Sequence, residues 1–312
     1  MNKDLAISTV GLSKIYNKKN QKIKALNEFS INIPKGSIYG LLGPNGAGKS
    51  TFINIIAGLV KKSSGKVTIS GSDLDTDQIE IKKKIGIVPQ ELNIDPFFTP
   101  YELLELQAGL YGVKKQDRKT NEILDKMKLL DKKNSYARSL SGGMRRRLLI
   151  AKALVHDPEI VFLDEPTAGV DVELRMNLWD YIKILSKQGK TICLTTHYLE
   201  EAEKLCDHIT IINNGKKIVE NKKDNLINLF SKRIVEFTIE KEILPIPNVL
   251  SKYIKKQNQN KLILEYDKKE ININEMIKLL SDNNILFTEL KTYDEDLESI
   301  FLKMTSSLNE KI

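Results

Sequence analysis

Residues 43–51 read GPNGAGKST, and the reading of this run decides the fold. It has the spacing G-x-x-x-x-G-K-[ST] and lies between an apolar run, IYGLL at 38–42, and a helix-length stretch, FINIIAGLV at 52–60. A strand before and a helix after are the context that gives this pattern meaning beyond a glycine-rich turn. Along Gly43, Pro44, Asn45, Gly46, Ala47 and Gly48, the glycines free successive backbone N–H groups to curl around phosphate oxygens. The helix that follows points its positive end at the same anion. Lys49 can reach β- and γ-phosphates, and Ser50, with Thr51 beside it, can offer a hydroxyl to Mg²⁺. The apolar stretch 38–60 is long enough to suggest a membrane helix, but Gly43, Pro44, Gly46 and Gly48 fall in its middle. There they would break the helix and strand backbone groups in lipid.

A second run, IVFLDEPTAGVD at 160–171, adds chemistry to binding. An apolar strand ending in Asp164 and Glu165 places two carboxylates at its carboxyl end, where open α/β sheets hold their ligands. Asp164 suits Mg²⁺, directly or through water, and Glu165 suits an attacking water as base or orienting group. Two acids at a strand end are commonly solvated loop residues. Their company with the phosphate loop argues for the nucleotide.

Working outward, the apolar runs IVFLDEP at 160–166 and TICLTTH at 191–197 alternate with helical stretches, as central strands of a parallel sheet covered on both faces do. Pro34 to Gly36 reads as a turn between strands, KVTIS at 66–70 as a strand, and HITIINNGKKIVE as a hairpin turning at Asn214-Gly215. Residues 99–150 read as mainly helical. Thr99 caps YELLELQAGLYG, and NEILDKMKLL carries apolar residues at helical spacing. Near residue 226 the texture changes. Short strands then alternate with helices, ending in LESIFLKMT, so the chain divides into a 1–226 nucleotide-binding domain and a small α+β domain over 227–312.

Composition sets the outer limits. The chain has 312 residues, enough for about two domains, with 41% hydrophobic and 29% charged residues, which excludes general disorder. Cys193 and Cys206 form no C-x-x-C pair, so neither a disulfide scaffold nor a cysteine zinc site is expected. The start, MNKDLAIST, lacks the apolar core of a secretory signal, and a cytoplasmic location follows as the expectation. The net charge of +8 comes from lysines scattered in pairs and triples, such as Lys82, Lys83 and Lys84, which read as a solvated surface.

One further string, LSGGM at 140–144, carries a family resemblance. With it, residues 5 to 225 resemble an ABC-type ATPase cassette: a P-loop NTPase core with antiparallel β and α-helical subdomains. Ser141 is a good helix N-cap, and Gly142 and Gly143 open that helix with exposed donors. The resemblance implies that this tip addresses the γ-phosphate of ATP held by a second copy, so that two cassettes enclose two ATP molecules head to tail. It also implies that Tyr16 stacks on adenine and that Gln90 in GIVPQ senses Mg²⁺ and water. Asp171 would communicate across the dimer, and His197, ending TICLTTH, would act with Glu165 and Lys49 in catalysis. Met144 replaces the family's commoner glutamine and AGVD its frequent S-A-L-D, which alters detail of nucleotide contact. Arg145, Arg146 and Arg147 continue the helix, and read either as positive potential near the phosphates or, the reading favoured here, as its solvated face. His156, His208 and both cysteines read as structural.

The strings SGGMRRRLLIAKAL, EPTAGVDVELR and TTHYLEEAE and a tail ending LESIFLKMT resemble the ATPase subunits of type-2 ABC exporters. That likeness implies a cytoplasmic subunit, peripheral on the inner face of the cell membrane, held by a separate permease that docks at residues 91–112. Phe97 and Phe98 are candidates for that contact or for the core. An importer ATPase is one alternative. Another is a soluble ABC ATPase acting on ribosomes or nucleic acid, though no nucleic-acid partner is expected. The translation-factor type carries two cassettes in one chain, and the DNA-repair types carry long coiled coils or zinc-binding cysteines.

Overall fold

The structure, a computed structural model, describes residues 4–18, 21–229, 232–241, 243 and 245–294. The chain separates into two compact units, Met1–Lys223 and Asp224–Ile312.

The first unit opens with three antiparallel strands, β1 (Leu5–Lys18), β2 (Gln21–Phe29) and β3 (Asn32–Pro34). Then come β4 (Ile38–Leu42), α1 (Lys49–Ile56), β5 (Ser64–Ile69), β6 (Ser72–Asp73), α2 (Gln78–Lys84) and β7 (Ile85–Val88). Three helices follow, α3 (Pro100–Leu110), α4 (Thr120–Lys126) and α5 (Gly142–Leu154). The unit closes with β8 (Ile160–Asp164), α6 (Val172–Lys187), β9 (Thr191–Thr196), α7 (Leu199–Leu205), β10 (His208–Asn213) and β11 (Lys216–Lys222).

The sheet that positions the site has six strands in the order β11-β10-β4-β9-β8-β7. All its pairs are parallel except β10 with β11. Every residue of β4, β8 and β9 is buried, because helices cover both faces and leave no polar side for alternation. The glycine loop, the acid pair and His197 all leave this sheet at the carboxyl ends of adjacent central strands. A second sheet, β2-β1-β5-β6 with β3 on β1, packs Phe29 edge-on against Phe52 of α1 at 5.7 Å. In the first sheet the buried Tyr39 hydroxyl meets Thr210 at 2.5 Å and donates to Glu220 at 2.8 Å, which satisfies a polar atom inside the core.

Helix α8 (Lys223–Leu229) straddles the division between units. The second unit then holds β12 (Lys232–Ile239), α9 (Asn248–Ser251), β13 (Ile254–Asn258), β14 (Lys261–Asp267), α10 (Ile273–Asp282) and β15 (Phe287–Asp294). Its antiparallel sheet runs β13-β14-β12-β15, and Val235, Phe237, Leu262 and Leu264 form its core with Met276 and Leu280 of α10. The expected helix at 297–305 lies outside the described residues. Among the described residues no helix is long and apolar enough to cross a membrane, and 38–60 is indeed a strand, a loop and a helix.

Candidate nucleotide site

The loop from β4 to α1 tolerates no side chain at two of its glycines. A Cβ on Gly43 would fall 2.4 Å from the Ile212 carbonyl oxygen, and one on Gly48 2.6 Å from that of Ala25. Gly48 also has φ of 114°, which glycine adopts without strain. The loop therefore lies against β10 and β2, beside a cavity of about 340 Å³ lined by residues 45–51, Gln90 and Glu165. Lys49 is 5% exposed; its Nζ donates to the carbonyls of Gly43 at 2.7 Å and Pro44 at 3.3 Å.

Glu165 is where the site converges. Its Oε2 accepts from Gln90 Nε2 at 3.0 Å, and its Oε1 lies 3.3 Å from His197 Nδ1 and 3.5 Å from Lys49 Nζ. The residue has φ of 47°, unusual for a side chain of this size, and so turns sharply off the end of β8. Thr195 on the neighbouring strand holds that turn. Its carbonyl and hydroxyl oxygens each accept from the Glu165 N–H at 3.1 Å, and its hydroxyl donates to Asp164 Oδ1 at 2.5 Å. Strain at such a turn persists where surrounding contacts over-determine it, as these do.

The other expected residues fall elsewhere. Ser141 caps α5, its Oγ accepting from the Met144 N–H at 3.3 Å. Ser141, Gly142, Gly143 and Asp171 line a second cavity of about 850 Å³, and none of them lines the first. Tyr16 sits half-buried on β1, opposite Ile23, with the Lys14 ammonium 4.8 Å over its ring.

The sequence reading is corrected at the three arginines, which do not form a solvated face. Arg145 donates to the carbonyls of Leu140 and Arg138, Arg147 to those of Met127 and Lys128, and Arg146 is buried with its guanidinium on Pro89 and Gln90. Each partner is a backbone carbonyl, which leaves no mark in the side-chain pattern. Phe97 is 69% exposed and so is not a core aromatic. Thr195 and Glu201 likewise belong to no motif that marks them in the sequence. Glu201 is buried, accepting from Thr167 at 3.0 Å and Trp179 at 3.3 Å. His156 stacks on Tyr111 at 3.7 Å, and both cysteines are buried free thiols.

The family described as ABC transporter matches residues 26–168. The Nod factor export ATP-binding protein I of Cupriavidus pinatubonensis is 39% identical over 65% of this chain, an alignment spanning 63% of that relative's length, just under two thirds. The linearmycin resistance ATP-binding protein LnrL of Bacillus subtilis is 38% identical over 73% of each chain. Among solved structures, the dimeric ATP-binding cassette MJ0796 bound to ADP and Pi superposes with a TM-score of 0.62. It is 30% identical and covers 69% of this chain and 98% of its own. Identity of this order over most of the cassette, with a family match whose range takes in the glycine loop, the serine–glycine helix tip and the acid pair, makes the chain a member of the ABC transporter family, as an ATP-binding cassette protein.

Proposed function

We propose that the chain binds and hydrolyses ATP as a head-to-tail pair, powering export through a separate membrane permease. The observation that carries this is the convergence of Lys49, Gln90 and His197 on the carboxylate of Glu165, beside a glycine loop whose walls exclude side chains.

The N–H groups of residues 45–51 would receive the phosphates, with Tyr16 on the adenine. Lys49, now hydrogen-bonded to two loop carbonyls, would exchange them for phosphate oxygens and carry charge that opposes the charge developing there. The donor set suits a hard cation: the Ser50 hydroxyl, the Gln90 amide oxygen and the Asp164 carboxylate are all oxygen ligands. Mg²⁺ held there would neutralise phosphate charge during transfer. Glu165 orients the attacking water and takes its proton, while His197 Nδ1 at 3.3 Å keeps the carboxylate aimed.

A single copy has no serine–glycine tip at its own phosphate loop, since the two features line different cavities. A second copy would supply it, as the dimeric state of MJ0796 supports for that protein. The name of the Cupriavidus relative supports export, and a subunit of this kind works from the cytoplasmic face of the membrane. Phe97, Leu106 and Leu110 stand exposed on the 91–112 segment and offer the permease an apolar seat.

The test is Glu165→Gln in the full chain. It should bind ATP as the wild type does and lose roughly 10²–10⁴-fold in turnover, the range for removal of a general base. A near-normal rate would refute the assignment. Lys49→Ala should instead weaken nucleotide binding itself, read by titration with a fluorescent ATP analogue.

A further inference from the structure

Arg146 lies one turn inside α5, the helix that begins with Gly142 and Gly143, and it is 3% exposed. Its planar fork donates from Nη1 to the Pro89 carbonyl and from Nη2 to the Gln90 carbonyl, each at 2.8 Å. Gln90 in turn donates its side-chain amide to Glu165 Oε2 at 3.0 Å. Gln90 therefore joins the helix bearing the serine–glycine tip, held at its backbone carbonyl, to the carboxylate at the phosphate site, held by its side chain. The bonds from Arg146 are a rigid bidentate pair on consecutive carbonyls, a geometry that a lysine's point charge does not reproduce.

The arrangement is an inefficient way to build a core. The guanidinium is buried among carbonyls, and its Nε has no acceptor among the described residues. Desolvation pulls its pKa down, and the negative charge of Asp164 opposes that. A buried cation with an unmet donor costs stability that an apolar side chain of similar volume would not.

We propose that Arg146 is a positioning residue that locks the Gln90 segment to α5, so that engagement of the helix tip by the nucleotide of a second copy aligns Gln90 and, through it, Glu165. This rests on the reading of Glu165 as the residue that orients water. The device lets hydrolysis respond to closure of the pair, since movement of α5 reaches the carboxylate through only two residues.

The experiment is a double-mutant cycle in the full chain, with Arg146→Lys, Gln90→Ala and the double variant. Arg146→Lys should lower kcat about 10–10²-fold, the scale of a small misplacement of a reacting group. KM and the affinity for a non-hydrolysable ATP analogue should be unchanged. In the Gln90→Ala background the same substitution should add nothing, because both act through one side chain. Hydrogen exchange, which needs no turnover, should speed up in residues 86–92 of Arg146→Lys and stay unchanged in α1. Full kcat in Arg146→Lys, an undiminished additive loss in the double variant, or loss of nucleotide binding would each overturn the proposal. Should Arg146→Lys fail to fold, Arg146→Met goes through the same cycle; failure of both would make the residue structural and likewise overturn it. Wild-type turnover in Glu165→Gln would defeat the underlying reading of Glu165 while leaving the measured coupling of Arg146 to Gln90 standing.

Discussion

Two glycines of the site are glycine for different reasons, and the difference is measurable. At Gly43 the neighbour 2.4 Å from an added Cβ is a backbone oxygen of β10, which has no freedom to withdraw. Gly43→Ala should therefore cost about 1–3 kcal/mol of folding stability, read from the shift of a urea midpoint. Around Gly142, among the described residues, nothing beyond its own turn of helix lies within 4 Å of that position. Gly142→Ala should leave the melting temperature of the isolated chain at or above the wild-type value, helix propensity favouring alanine. If a second copy's nucleotide approaches there, the same variant should weaken ATP-dependent pairing. Glu201 supports a third residue-scale expectation. Burial raises its carboxyl above the usual range, so the folded chain holds a proton that the unfolded chain releases first. Its contribution is complete below about pH 4.5 and falls away as pH rises through the raised folded value. Glu201→Gln keeps an oxygen for Thr167 and Trp179 but does not titrate. Its melting temperature should gain on the wild type as pH rises above about 4.5, and a constant difference would refute the shift. The sequence made Gly43, Lys49 and Glu165 legible because their chemistry depends on spacing along the chain. Arg146 stayed hidden because its partners are carbonyls 56 and 57 residues away.

Elements were legible where a local rule sufficed. At Asn214-Gly215 both residues have positive φ, 47° and 72°, as a two-residue hairpin turn requires, and β10 and β11 pair around it. Thr99 was expected to cap the helix at 101–112, and it forms a full capping box with Glu102 at the start of α3. Thr99→Ala should cost about 1 kcal/mol, measured by urea unfolding. No change would mean that packing against α4 and α5 holds the first turn unaided. The helix expected at 121–130 stops at Lys126, because Lys128 takes φ of 52° and turns the chain. Apolar periodicity continues through that turn and so gives no warning of it. Strand order was not legible either. A continuous apolar run says that β4 is buried on both faces, yet nothing local says that β10 and β9 are its neighbours.

At the scale of the molecule, the decisive fact is that the phosphate loop and the serine–glycine tip of one chain open into separate cavities. If each tip completes the site of a twin, the Glu165→Gln chain with MgATP should double from 35.5 kDa in light scattering after size exclusion. Gly142→Glu should abolish that change, since a carboxylate at the tip opposes the γ-phosphate while open space around it spares the fold. Complementation carries the argument further. A Lys49→Ala chain has a faulty phosphate loop and a sound tip, whereas a Gly142→Glu chain has the reverse. Each should be inactive alone, because every site in either pair contains one faulty half. In a mixed pair, the sound loop of one chain meets the sound tip of the other, and one site in two is whole. Mixing the two inactive proteins should therefore restore ATP hydrolysis, and the recovered rate should rise with the concentration of the deficient partner. A mixture as inert as its components would mean that each chain completes its own site, and the head-to-tail pairing would have to be abandoned.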